Sequence, residues 1–131
     1  MSSSPSPTVS LDRTPTVAGV DSTGAGIRDD IKVLVTQIGT PEQQPALRQV
    51  AKAIQLSLVK NETQADAVAA TNVLDSALAC LAQKSPTYVN QSNTILSATV
   101  DTELRFNALR KFEKALVGAD VSEIASPTCD S

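Results

Sequence analysis

The chain has 131 residues, a net charge of −3, no histidine and three aromatic residues, Tyr88, Phe106 and Phe112. That length allows one domain. Weak acidity gives no electrostatic footprint for nucleic acid, and the missing histidine removes the commonest general base, metal ligand and near-neutral pH switch.

Hydrophobic residues make up 41% of the chain and aromatic ones 2%. The core must therefore be built from Ala, Val, Leu and Ile, which pack helices closely but supply few bulky anchors. No run of about 18 apolar residues is present, so no membrane span is expected. The first residues lack the basic and apolar regions of a signal peptide.

Residues 1–22 are rich in Ser, Thr and Pro, and Pro5, Pro7 and Pro15 interrupt any helix. Such a segment cannot bury enough apolar surface to offset its ordering entropy. It reads as a disordered arm or tether, with membrane contact expected only through an anchor upstream of it.

From residue 23 onward the apolar spacing is helical. Ile27, Ile31, Leu34, Val35 and Ile38 form one stripe, which predicts a helix over about 23–38. Gly39 follows as a left-handed stop. Thr40, Pro41 and Gln43 form a capping box, and Pro45 then implies either a short turn or a late start for the second helix. That helix carries Leu47, Val50, Ala51, Ile54 and Leu58 on one face. Leu56 points the other way, as a small exposed apolar surface or a sign that the helix is covered on both sides.

The longest uninterrupted stretch is 64–84, alanine-rich and free of Gly and Pro, with Ala70, Leu74, Ala77, Leu78 and Leu81 in line. It is read as the central helix. Residues 87–100 allow a helix through Val89, Ile95, Leu96 and Val100, although Asn90, Ser92, Asn93 and Thr94 leave a strand over 94–100 as an alternative. The last helix, 102–117, has Leu104, Ala108, Leu109, Phe112, Ala115 and Leu116 as its apolar face. Gly118 ends it, and 119–131 is a tail whose one strong apolar anchor is Ile124. The fold class is all-α: a small up-down bundle of four to five helices, at about 23–38, 45–60, 63–84, 87–100 and 102–117, within a domain spanning 23–118.

Cys80 and Cys129 are the two cysteines. A disulfide between them would staple the tail to the central helix and close a loop of about 50 residues, an effect of about 4 kcal/mol by loop-closure entropy. It would also imply an oxidising compartment. The alternative is a Cys80 that packs as a small apolar residue beside a free Cys129.

Other constellations lead to bland readings. Ser57 and Lys60, with Tyr88 and Asn90 downstream, resemble two motifs of the penicillin-recognising serine enzymes. But Ser57 lies late in its helix, no K-T-G follows, and the chain is too short for that fold. Gly24-Ala25-Gly26 is a flexible entry to the first helix, not a phosphate cradle. The carboxylate pairs Asp29/Asp30, Asp101/Glu103 and Asp120/Glu123 read as capping and solvation. Asn61 and Asn90 head N-x-[ST] triplets to which no glycosylation is assigned. Arg105, Arg110, Lys111 and Lys114 spread over the solvent face of the last helix and, with exposed Leu56 and Phe106, form a candidate interaction surface.

The residues thus point first to a non-enzymatic, cofactor-free, metal-free helical module with structural, adaptor or binding duty. It would have a protein partner and work in an extracytoplasmic compartment, periplasmic or secreted. One alternative is a carrier holding an apolar, lipid-like small molecule inside the bundle. Another is a viral or cell-surface structural subunit with Leu56 and Phe106 at its contacts. An enzyme would have to work through Cys80, Ser or carboxylates.

Overall fold

The computed structural model describes residues 10–119 and Cys129. Expectations resting on residues 1–9, on Asp120 and Glu123, and on Ile124 lie outside the described residues. Five helices follow one another: α1 (Asp29–Ile38), α2 (Gln44–Val59), α3 (Gln64–Lys84), α4 (Tyr88–Thr99) and α5 (Glu103–Leu116). Among the described residues there is no strand, and the loops between helices are three to five residues long. The chain is the small all-α bundle that its apolar stripes imply.

Side-chain caps set two of the starts. Thr63 Oγ1 accepts from the Asp66 amide at 3.0 Å, and Thr102 Oγ1 accepts from the Arg105 amide at 3.2 Å. Each satisfies a donor that the first turn leaves without a helical partner. Before α2 both features of the sequence coexist. The Thr40 amide donates to Gln43 Oε1 at 3.1 Å in a separate turn, and Pro45 then sits in the first turn of α2, where no backbone N–H is needed. Residues 88–99 are helical, so the strand alternative fails. Ile95 is fully buried there, and the Thr94 and Thr99 hydroxyls donate to the carbonyls one turn back, at Asn90 and Ile95. Burial and these local bonds override the weak propensity.

The expected start of the first helix and the expected conformation of Gly39 are corrected, while the helix end at Ile38 stands. α1 begins at Asp29, not near residue 23, because the Asp21 carboxylate takes the amides of Ala25 (3.1 Å) and Gly26 (2.7 Å) into a turn. Ile27 still reaches the core, from a loop. Gly39 is extended (φ −126°), not left-handed. Glycine is needed there for space: a Cβ would collide with Cδ1 of Leu47, which is itself fully buried.

The centre of the bundle is α2, not α3. α2 packs against each of the other four helices, and nine of its 16 residues are buried, against five of 21 in α3. α3 is long and apolar enough to cross a membrane by length and composition, yet it carries Asp66 and Asp75 and packs on α2, α4 and α5. Leu56 is half-buried against Ala67, Ala70 and Phe112, so α2 is covered on both sides and Leu56 is no exposed contact.

Candidate functional site

Two features stand out above the ordinary core: a buried ionic knot and an apolar cleft. The knot starts from two arginines with fully buried side chains, Arg28 just before α1 and Arg105 in the first turn of α5. Arg28 grips Asp30 with Nε (3.0 Å) and Nη2, and its Nη1 donates to the Thr99 carbonyl at 3.0 Å. Arg105 donates to Asp101 Oδ1 at 2.9 Å, to the Thr16 carbonyl at 3.1 Å, and to the carbonyls of Asp12 and Thr14. Asp12 closes the circuit. Its amide donates to Asp30 Oδ2 (2.9 Å), while its own carboxylate accepts from the Thr14 hydroxyl, from the amides of Thr14 and Val20, and pairs with Arg105 at 3.5 Å.

This overturns the placement of Arg105 on the solvent face. Arg105 continues the inward stripe of Leu109, Phe112 and Leu116, and Leu104 beside it is 46% exposed instead. A buried guanidinium needs acceptors for its five N–H groups, and residues 12–16 together with Asp101 supply them. Residues 10–22 lack helix and strand, but where their composition implies a disordered arm, those from Asp12 on are tied to the bundle. Gln55 of α2 also donates to the carbonyls of Val17 and Ala18, and the Asp29 amide donates to the Val20 carbonyl. Gly19 is left-handed (φ +64°), and a Cβ there would press on Asp12, Arg28 and Arg105.

Asp30 and Asp101 are therefore acceptors for buried cations and not mere solvating caps. Three carboxylates face two buried guanidiniums, and the exposed Arg13 lies 3.9 Å from Asp101 Oδ2 to balance the charge. That Oδ2 is buried without a hydrogen-bond partner. The Asp12 carboxyl is held well below the usual carboxylate range. The Thr14 hydroxyl is the main cause; desolvation opposes it, and the Val20 and Thr14 amides and the Arg105 charge reinforce it. Among the described residues no group of three His, Cys, Asp or Glu side chains is placed to hold a metal ion.

The remaining surface residues separate. Arg110, Lys111 and Lys114 line one open groove along α5, but Glu113 lines it too, and Lys111 is paired with Glu62 at 2.6 Å. Phe106 stays 46% exposed. Asn61 is buried, its amide donating to the Ala108 carbonyl at 3.0 Å, so it ties the α2–α3 turn to α5. Ser57 is also buried, donating to the Ile54 carbonyl at 2.6 Å. Cys80, fully buried in α3, is bonded to Cys129, with Cα atoms 5.6 Å apart.

The cleft follows from the composition. The core forms two clusters: a large one built on α1 and α2 with Ala77, Leu81 and Ile95, and a small one of Ala67, Ala70 and Phe112. Between them lies a half-enclosed cleft of about 170 Å³. Val50 and Ile54 of α2 and Leu74 and Leu78 of α3 form two walls; Leu96 of α4 and Leu109 and Phe112 of α5 form the others. Ser57, Ser92 and Asn93 are its polar lining. Phe112 is its one aromatic residue. Ala, Val and Leu side chains do not reach far enough to close the gap that four helices leave, and native interiors seldom keep one of this size. Neither the cleft nor the Ser92 hydroxyl was signalled by any spacing in the sequence. No family model, curated protein or solved structure matches this chain.

Proposed function

We propose that this chain is a non-enzymatic binding module of an oxidising, extracytoplasmic compartment, and that its ligand is a small apolar molecule held among α2, α3, α4 and α5. The cleft is the observation that carries this reading. Its walls are aliphatic and aromatic apart from Ser57, Ser92 and Asn93, it opens to solvent, and about 170 Å³ is room for a compact ligand. A cavity of about 150 Å³ lined by aliphatic and aromatic side chains stays dry and takes up benzene. The Cys80–Cys129 bond supports the compartment, since such bonds persist where thiols are not kept reduced. It also withdraws the thiols as nucleophiles.

The test is calorimetric titration of the full chain with toluene, beside Leu78→Phe, which fills the cleft. Saturable binding by the native chain, lost in Leu78→Phe, supports the reading. No binding up to the solubility limit, or equal binding by both proteins, rejects it.

A contact with a protein partner is the second reading, favoured by Phe106, an aromatic side chain left 46% exposed in an aromatic-poor chain. Sedimentation of the native chain against Phe106→Ser would reveal self-association through it.

A further inference from the structure

We infer that Ser92 is the polar anchor of the cleft, so that the ligand is a compact apolar molecule bearing one hydroxyl or comparable hydrogen-bonding group. This rests on the reading of the cleft as a ligand site. Ser92 lies on α4 and lines the cleft, and its Oγ is buried with no hydrogen-bond partner. A serine inside a helix ordinarily satisfies its hydroxyl on the carbonyl one turn back. The threonines of the same helix do so, Thr94 to Asn90 at 2.9 Å and Thr99 to Ile95 at 2.7 Å. Across the cleft Ser57 does the equivalent, donating to Ile54 at 2.6 Å. Ser92 alone among these hydroxyls keeps both its donor and its lone pairs unused.

A buried hydroxyl without a partner is destabilising, and it strengthens binding when a ligand group completes it. Alanine at this place would cost the helix nothing and would remove the one buried, unpartnered hydroxyl from the α4 side of the cleft. The retained hydroxyl selects within the class of small apolar ligands. It favours a molecule the size of toluene or phenol whose hydrocarbon part contacts Leu74, Leu78 and Phe112 and whose single polar group meets Oγ.

Phenol and toluene separate these contributions, because they match in heavy-atom number and differ by a hydroxyl. Both are titrated into the native chain and into Ser92→Ala, with circular dichroism confirming that the variant is folded. The expected result is that Ser92→Ala weakens phenol binding about fivefold while leaving toluene binding unchanged or slightly stronger. Equal loss for both ligands, or no loss for phenol, would overturn the anchor while leaving the cleft as an apolar site. Failure of both ligands to bind the native chain would remove the cleft as a ligand site and the anchor with it.

Discussion

Arg28 and Arg105 share a single acceptor oxygen: Oδ1 of Asp101 lies 2.9 Å from Nη1 of Arg105 and 3.5 Å from Nη1 of Arg28. One carboxylate thus joins the start of α1 to the start of α5, beneath the segment that carries Asp12. Taking two cations out of water is expensive, so the knot adds little net stability over an apolar packing; breaking it is what destabilises. It specifies where residues 12–20 lie.

Asp101→Asn keeps the shape of the side chain and removes its charge, leaving two buried guanidiniums with one fewer counter-charge. We expect a loss of about 3 kcal/mol in urea denaturation. Glu103→Gln, two residues on and exposed, should stay within about 0.5 kcal/mol of the native chain. Equal effects for the two would show that the knot is not what holds these elements.

Acid should release the segment around Asp12. The Asp12 carboxyl sits below its ordinary value of 3.8 in the folded chain, mainly through the Thr14 hydroxyl. The unfolded chain therefore takes up a proton first. The contribution is fully present above the unfolded value and is lost as pH falls from there through the folded one. Asp21 is lowered in the same direction, chiefly by the Gly26 amide. The stability difference between the native chain and Asp12→Asn, from urea midpoints, should be flat above about pH 5 and should shrink on acidification below the ordinary value.

Opening the disulfide frees a long loop. With its ends 49 positions apart in the sequence, the paired substitution Cys80→Ala with Cys129→Ser should cost about 4 kcal/mol by loop-closure entropy. The same loss should follow reduction of the native chain. A melting temperature unchanged by reductant would mean that the tail contributes nothing to the stability of the bundle.

Leu56 and Phe106 should part company. Leu56→Ala removes a half-buried side chain from the Phe112 cluster, and about 2 kcal/mol of stability is expected to go with it. Phe106→Ser removes an exposed ring and should change stability by no more than about 0.5 kcal/mol. Chemical denaturation of the two variants side by side reads this directly.

Much of the architecture is legible in the sequence. The stripe Leu47, Val50, Ala51, Ile54 and Leu58 is buried throughout, as its spacing implies. Thr63 caps α3 as a residue of its type at that place should. Caps and stripes are local, and a period of 3.6 residues names the inward face without knowing what covers it. The cysteine pair was legible as one of two alternatives, because chemistry limits what two cysteines do but not whether they meet.

The burial of Arg105 and Arg28 and the position of the cleft lay beyond that reach, for one physical reason. Whether a charged side chain can be buried depends on acceptors brought from elsewhere in the chain, here the carbonyls of Asp12, Thr14 and Thr16. Whether small side chains leave a gap depends on how four helices are spaced, not on any one of them. Local spacing and composition carry four of the helices, most of their inward stripes and the scarcity of large side chains to fill between them; α4 and the start of α1 needed their packing. Tertiary structure alone decided that α2 is the centre, that residues 12–20 bind to the bundle, and that the unfilled volume collects at Ser92 and Phe112, because each is set by contacts between segments far apart in the chain.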